Sequence, residues 1–316
     1  MKEAIEWRNE FIFTVDLSQL GFSDEAERVL EKLIADMKAS EEYVAKGGID
    51  VGRFIMLTLN STNHYYHITG VQTKYEKFRT SFLFDRSLAA IVESGVAKGN
   101  RVIEIASGGS LKQIAFIAHE GRGLLKDGSF KPTEFEVFDF MVNGQLRFAI
   151  YDSSGNLKTS GNPALTEAGK PSKCLWCHEI VIQPPFFNKT DILGYYSTNQ
   201  FARIVSDKMK IVELYRQKLS TDINYRNRQD HTFAELLYLS FMEPSAERLA
   251  SEWGMTIEGV KSLLSDVATH AHTEFPFLGN ELYYRNDVDD RAPYKHLRVA
   301  DDARERSSFE PDYFKH

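Results

Sequence analysis

Residues 135–156, FEVFDFMVNGQLRFAIYDSSGN, carry the clearest fold signal in this chain. Two runs of alternating side chains flank an Asn-Gly pair at 143–144, and in the second run Leu146, Phe148 and Ile150 occupy every other position. Alternation of this kind is typical of strands, and Asn-Gly favours a type I′ turn between antiparallel strands. The stretch therefore predicts a β-hairpin with a two-residue turn.

Upstream of the hairpin, RVIEIAS (101–107) and LKQIAFIAHE (111–120) place apolar and β-branched residues between glycine-containing turns. We expect both segments to be strands of the same sheet. A loop rich in Ser, Gly, Asn and Pro then runs from Ser153 to Lys173, which is longer than most connections. A small antiparallel sheet is therefore predicted in the middle of the chain.

The regions on either side of this sheet are expected to be helical, because apolar residues recur there at three- and four-residue intervals. The clearest case is SDEAERVLEKLIADMKASEEYV (23–44), which begins with a capping serine and acidic residues. Further helices are predicted at 49–61, 74–84, 87–99, 201–219, 232–242, 245–254 and 256–272.

The predicted fold class is therefore α+β, predominantly helical with a small antiparallel β-sheet in the middle of the chain. Three regions follow from this pattern: an N-terminal helical region at 1–99, the sheet with its following loop at 100–190, and a C-terminal helical region at 191–316. A chain of this length is expected to form more than one compact core.

Composition excludes several classes of function. The chain is 42% hydrophobic and 26% charged, with a formal net charge of -7. It lacks the basic excess that attracts phosphate backbones, so nucleic acid is not expected as a partner. It also lacks a run of about 18 apolar residues, so no transmembrane segment is expected.

Both cysteines of the chain lie in one short motif, CLWCH, in which Cys174 and Cys177 are three apart and His178 follows directly. Two cysteines placed at random are seldom this close and seldom followed by histidine. Thiols one helical turn apart can add to the two vinyl groups of haem, and the adjacent imidazole then reaches the iron. The motif therefore predicts a covalent haem site, with His178 as the iron ligand.

In these residues the chain resembles the c-type cytochromes, with Cys174 and Cys177 in the thioether positions and His178 in the axial position. A looser similarity extends upstream, because a hairpin and a loop before CxxCH are also found in sheet-containing, lysine-crosslinked haem c cytochromes. The resemblance implies one covalent haem c and a function in electron transfer or haem-based redox chemistry. Whether the chain is also an enzyme is left open.

Three other interpretations of the motif remain open. A CxxC pair also occurs in thioredoxin-type redox proteins, although the βαβ context is missing here. Cys174, Cys177 and His178 are also zinc-ligand types, but a structural zinc site needs a fourth ligand and no further cysteine exists. The last interpretation is a structural cysteine pair with an incidental histidine.

A six-coordinate iron would need a second axial ligand from elsewhere in the chain, and a five-coordinate iron would not. Methionine and histidine are the usual second ligands. The candidates are Met209, Met242, Met255, His64, His67, His119, His231 and His270.

Residues 249–264, LASEWGMTIEGVKSLL, match the pattern of a helix-turn-helix, with Gly254 at the turn and Thr256 as a cap. The second helix carries Lys261 as its only base, which is too little for contacts with DNA. The alternative function is therefore an intracellular binding or regulatory protein, in which CxxCH is structural or binds a metal.

The haem interpretation also predicts a location and a partner. Haem attachment of the c type takes place outside the cytoplasm, so we expect a periplasmic or extracytoplasmic protein. The N-terminal MKEAIEWRNEFIF (1–13) is not a signal peptide, so a signal or lipid anchor is expected to be missing from this sequence. A redox partner protein is expected, and the oligomeric state is left open.

Overall fold

The computed structural model describes residues 5–7, 13–15, 23–47, 62–92, 94, 96–178, 182, 191–219, 223–225, 233–271 and 278–293. The chain forms two compact units. The first unit contains Met1–Asp230 and Ala303–His316, and the second unit contains His231–Asp302.

The N-terminal part of the first unit contains a short strand pair, β1 (Ile5–Trp7) and β2 (Phe13–Val15), followed by helices α1 (Asp24–Ala39) and α2 (Glu41–Lys46). The single helix predicted over 23–44 is thus two helices. Ser40 separates them, because its hydroxyl accepts a hydrogen bond from the Tyr43 amide at 3.3 Å and caps the second helix.

Two further short helices, α3 (Thr62–Thr69) and α4 (Tyr75–Thr80), precede a five-stranded antiparallel sheet. The strands follow one another in chain order across the sheet. They are β3 (Leu83–Ile91), β4 (Arg101–Ser107), β5 (Ala115–Arg122), β6 (Lys131–Phe140) and β7 (Leu146–Asp152).

The register of the sheet gathers aromatic residues into one row. Ile105 pairs with Phe116, Phe116 pairs with Phe138, and Phe138 pairs with Phe148. Directly paired residues share a face of the sheet, so this row crosses four strands on one side. We call this side the aromatic face and the other side the opposite face.

The hairpin predicted at 135–156 is confirmed, but its turn is longer than predicted. Phe140 pairs with Leu146, and the Met141 amide donates to the Gln145 carbonyl at 2.8 Å. Within this loop only Gly144 has a positive φ, of 79°. A three-residue loop with one left-handed glycine therefore replaces the type I′ turn, which needs two such residues.

Two helices complete the core of the first unit: α5 (Pro171–His178) and α6 (Thr198–Arg216). Leu175 from α5, together with Phe201 and Val205 from α6, is buried in the same hydrophobic cluster as the aromatic row. A capping box at Ser197 and Gln200 fixes the start of α6.

The second unit contains α7 (Phe233–Met242), α8 (Ala246–Trp253), α9 (Ile257–Leu263) and α10 (Arg285–Val288). Its core is a separate cluster that includes Leu249, Trp253 and Val260. The predicted helix-turn-helix pair is present as α8 and α9, with Gly254 left-handed at the turn and Thr256 capping α9. The helix predicted over 256–272 ends early, at Leu263.

The predicted fold class needs correction. The chain is α+β, but it is not predominantly helical with a small sheet, because a five-stranded antiparallel sheet forms the centre of the first unit. The error lies in residues 87–99, predicted as a helix, where Leu83–Ile91 is instead the first strand of the sheet. Ala89, Ala90 and Ile91 are all fully buried. Burial on both faces produces a continuous apolar run, which does not show the alternation of a half-exposed strand.

The other predicted helices have mixed outcomes. Those at 201–219, 232–242 and 245–254 are confirmed in α6, α7 and α8. The helix at 74–84 is shorter than predicted, because β3 begins at Leu83. The helix predicted at 49–61 lies outside the described residues. Within the described part of the chain, no helix combines the length and the apolar character needed to cross a membrane.

Candidate functional site

The CxxCH motif lies on α5, which follows the long loop after β7. Pro171 occupies the first helical position, where its fixed φ favours helix initiation and its missing amide hydrogen carries no cost. The helix ends at His178. The motif is therefore helical throughout, which places its two cysteines about one turn apart.

Cys174 and His178 are four residues apart on α5, so they lie on the same side of the helix. Both are half-buried. Cys174 packs against the hydrophobic cluster of the first unit. The His178 ring lies 5.8 Å from the Phe148 ring and 6.1 Å from the Phe138 ring, measured between centroids. The side chain of Cys177 is outside the described part of the structure.

The surface beneath His178 is the aromatic row of the sheet. The Phe116 and Phe138 rings are stacked at 4.8 Å, and the Phe138 and Phe148 rings are tilted at 5.8 Å. Ile105, Phe116 and Phe148 are buried. The imidazole therefore lies against an apolar aromatic surface and Cys174 packs against the same hydrophobic cluster, the kind of environment that binds a large flat ring and excludes water.

Two tyrosines of α3 accept hydrogen bonds from the edge strand of the sheet, β7, beside this site. The Tyr65 hydroxyl accepts a hydrogen bond from the Phe148 amide at 3.0 Å, and the Tyr66 hydroxyl accepts one from the Ile150 amide at 3.2 Å. These bonds satisfy donors on β7, which is an edge strand. Burial raises the pKa of Tyr66 well above its usual value, and Cys174 is close enough to add to the shift. Tyr66 is therefore a neutral phenol.

The candidates for a second axial ligand lie in different parts of the fold. Met242, Met255 and His270 belong to the second unit. His119 points to the opposite face, where its Nε2 lies 3.1 Å from a Glu104 oxygen. His64 and His67 are on α3, where His64 is half-buried and His67 is exposed. His231 lies outside the described residues.

Met209 is the candidate that the structure brings into the same core as Cys174. It lies on α6, and its sulfur accepts a hydrogen bond from the Ile182 amide at 3.2 Å. Ile182 follows His178 by four residues in the chain and is buried in this core as well. Met209 is thus placed next to the segment that continues from CxxCH.

The thioredoxin-type interpretation of CxxCH finds less support in this fold. The preceding sheet is antiparallel, whereas a thioredoxin-type pair follows a strand of a βαβ unit. Across the described ranges, no group of three His, Cys, Asp or Glu side chains is arranged to hold a metal ion. An imidazole and a thiol facing an apolar surface fit the donor chemistry of a covalently attached haem.

Sequence reasoning missed a cluster of buried charges on the aromatic face. Glu120, Glu134 and Glu136 lie on β5 and β6 and contact Arg101 and Lys158. We call these five residues the buried carboxyl cluster. The sequence did contain a signal for this cluster. All three glutamates occupy strand positions that alternate in step with apolar core residues, whereas an acidic residue in a strand is normally expected to face solvent.

A second group, missed in the same way, lies on the opposite face. Arg79 donates two hydrogen bonds to Glu104, at 2.6 and 2.9 Å, and His119 contacts the same carboxylate. Burial by itself raises the pKa of Glu104, but the bonds from His119 and Arg79 outweigh it and lower this pKa to about 2. Glu104 is therefore ionised and forms an ion pair with Arg79 between α4 and the sheet.

The helix pair of the second unit carries few of the basic side chains that a recognition element for nucleic acid needs. The only base on α9, Lys261, forms an exposed ion pair with Glu281 at 2.8 Å. Glu258 lies in the first turn of the same helix. This charge pattern does not favour binding to phosphates.

Comparisons of the chain with protein-family models, with curated proteins and with solved structures found no match.

Proposed function

We propose that this protein is a monohaem c-type cytochrome that carries one covalent haem c. Cys174 and Cys177 would form the thioether bonds and His178 would ligate the iron. The observation that carries the proposal is the placement of CxxCH on a helix whose His178 lies against the aromatic row of the sheet and whose Cys174 packs against the same hydrophobic cluster. Bound in this way, haem supplies one-electron redox chemistry.

The surrounding residues would each have a defined role. Phe138 and Phe148 would keep water away from the His178 imidazole, and α3 would hold their side of the sheet through the Tyr65 and Tyr66 hydroxyls. An apolar, water-excluding surface is one of the means by which a protein adjusts the potential of a haem. Met209 is the best-placed candidate for a second axial ligand, because it shares the core of Cys174.

The proposal extends to partner and location. The proposed haem would exchange electrons with a redox partner protein. Because c-type haem is attached outside the cytoplasm, we propose a periplasmic or other extracytoplasmic location for the native protein.

The test is to express the chain together with a haem-attachment system and to record its absorption spectrum. We expect a Soret band that stays with the protein after acid-acetone extraction, which removes non-covalent haem. Cys174→Ala and Cys177→Ala should each weaken covalent attachment, and the double variant should lose it. The ferric and ferrous spectra will also report whether the iron is five- or six-coordinate.

Ser110→Ala, at an exposed turn position, serves as the control and should keep the Soret absorbance of the wild type. A colourless wild-type protein with normal circular dichroism would contradict the proposal. That outcome would favour the alternative, a binding or regulatory protein with a structural or metal-binding CxxCH.

A further inference from the structure

The buried carboxyl cluster lies on the same face of the sheet as His178, in neighbouring rows. Arg101 pairs with Glu120, and Glu120 pairs with Glu134, so these three form one row across β4, β5 and β6. Glu136 lies between this row and the aromatic row, two residues before Phe138 on β6. Residues two apart on a strand are separated by about 7 Å, so the cluster is next to the aromatic surface.

Three carboxylates in this cluster share two cations. Arg101 Nη2 lies 2.5 Å from a Glu120 oxygen and 3.3 Å from a Glu136 oxygen. The Lys158 ammonium binds Glu134, which also accepts hydrogen bonds from the Asn162 amide at 2.9 and 3.1 Å. Full ionisation would therefore leave one excess negative charge among these five side chains.

Part of the cluster lacks hydrogen-bond partners. Arg101 and Glu120 are only 3% and 1% exposed. The Arg101 Nε, the Glu120 Oε1 and the Glu136 Oε1 are buried without a directed hydrogen bond. The close approach of Arg101 Nη2 to Glu120 is thus an ion pair with poor hydrogen-bond geometry. Buried oxygens in this state are costly unless the carboxyl group is neutral or another group binds there.

The space above the cluster is closed by the loop after β7. A side-chain carbon added at Gly161 would lie 2.8 Å from Thr166 Cγ2 and 3.6 Å from oxygens of both Glu134 and Glu136. Thr166 is itself buried, and its hydroxyl accepts a hydrogen bond from the Ala168 amide at 3.1 Å. Among the residues described, these glutamates do not form a metal-binding group. The ligand that fits so closed and acidic a site is a proton.

We propose that Glu120 and Glu136 form a buried proton-binding site, which takes up one proton from solvent when the haem attached beside His178 is reduced. The coupling rests on the proposed function, whereas the proton-binding site itself does not. In this step, an electron from the redox partner would reduce the iron, and a hydronium ion of the solvent would give one proton to a carboxylate, so that a carboxyl O–H bond forms as an O–H bond of the hydronium breaks. No other bond forms or breaks.

The electrostatic surroundings agree with this assignment. Burial raises the pKa of Glu120 to about 8, the negative charge of Glu136 adds to the rise, and Arg101 offsets part of it. Burial likewise raises the pKa of Glu136. Lys170, fully buried at the end of the covering loop, is not among the charges that act most strongly on either glutamate. The pair therefore exchanges its proton close to neutral pH.

Coupling follows from proximity and low polarity. An added electron near His178 raises the proton affinity of an acid in the adjacent row, because charges interact strongly across a buried apolar region. By linkage, the same acid makes reduction easier when it is protonated. Its effect on the iron must therefore appear as a pH-dependent midpoint potential.

The first measurement needs no haem. Infrared spectra of the apo chain at pH 7 should show the carbonyl stretch of a protonated carboxyl group that disappears on titration above pH 8. Glu120→Gln and Glu136→Gln should each remove or shift this band, and Glu25→Gln, at an exposed position on α1, should leave it unchanged. Circular dichroism confirms that each variant is folded. A band unaffected by both cluster variants overturns the proton-binding site.

The second measurement uses the haem-loaded protein. The wild-type midpoint potential should fall as the pH rises from 6 to 9, and either cluster variant should flatten this dependence, with Glu25→Gln again as the control. One outcome is that the infrared band behaves as expected while the midpoint potentials of wild type and variants share one pH dependence. In that case the coupling between haem reduction and proton uptake is wrong, and the proton-binding site stands. If no haem attaches, the proposed function and the coupling both fail, and the infrared result alone decides the site.

Discussion

On β4, the Glu104 carboxylate receives hydrogen bonds from Arg79 and His119 while its side chain is only 5% exposed. These contacts tie α4 to the sheet on the opposite face, away from the CxxCH helix. Because they lower the pKa of Glu104 to about 2, the ionised form is strongly favoured in the folded protein. Glu104 is thus a structural charge.

Glu104→Gln is expected to destabilise the protein by about 2 kcal/mol at neutral pH. The folded pKa lies below the value of about 4.3 in an unfolded chain. The stabilisation is therefore complete above pH 4.3 and is lost as the pH falls towards 2. Urea unfolding from pH 7 to pH 2 should show the wild type and the variant converging at the acid end.

Glu76→Gln, an exposed substitution on α4, is the matched control and should change the free energy of unfolding little at any pH. A constant difference between Glu104→Gln and wild type down to pH 2 would show that the ionised carboxylate is not the source of the stability.

At the level of elements, the β6–β7 hairpin depends on a contact that its own sequence does not contain. Arg216, at the end of α6, donates hydrogen bonds to the Gly144 carbonyl from Nε at 2.8 Å and from Nη2 at 2.6 Å. Its guanidinium also lies 4.9 Å from the Tyr225 ring centroid. The loop is therefore held by the helix that packs on the sheet.

Gly144→Ala is expected to cost about 2 kcal/mol in the free energy of unfolding. The φ of 79° is unfavourable for alanine, and the new carbon would lie 3.0 Å from Arg216 Cγ. Gly128→Ala is the matched control, because Gly128 has a φ of 72° with open space around it. It should cost only the backbone strain, about 1 kcal/mol. Equal losses for both variants in urea unfolding would show that the Arg216 contact does not matter.

Element prediction succeeded or failed according to how far the deciding contacts lie along the chain. The hairpin, α6 and α8 are specified by neighbouring residues, through alternation, the capping box at Ser197 and the cap at Ser245. By contrast, the end of β3 predicts a helix, because Ala89, Ala90 and Ile91 are buried on both faces of the sheet and form a continuous apolar run. Only pairing with β4, as in Ala89 with Ile103, makes this segment a strand.

At the level of the whole molecule, the two units have separate hydrophobic cores. The aromatic row, Cys174 and Met209 belong to the core of the first unit. Leu249 and Val260, both fully buried, belong to the core of the second. A candidate site built within one core is expected to tolerate damage to the other.

Leu249→Ala should destabilise the second unit by about 3 kcal/mol, because it opens a cavity at a fully buried position. Amides of α8 and α9 should then exchange hydrogen faster, while those of β5 and β6 keep their protection. Leu263→Ala, at a position 38% exposed, is the control and should have little effect. Equal loss of protection in the sheet would mean that the two units unfold together.

The sequence by itself determined the features that depend on short spacing: the hairpin, the capped helices, the helix pair of the second unit and the CxxCH motif with its donor set. Only the tertiary structure decided that the sheet dominates the first unit, that His178 lies on Phe138 and Phe148, and that Met209 shares the core of Cys174. The buried carboxyl cluster also appeared only there. Its members come from three strands and a loop. They are brought together by the register between the strands and by the loop that closes over them, and no local sequence pattern encodes either feature.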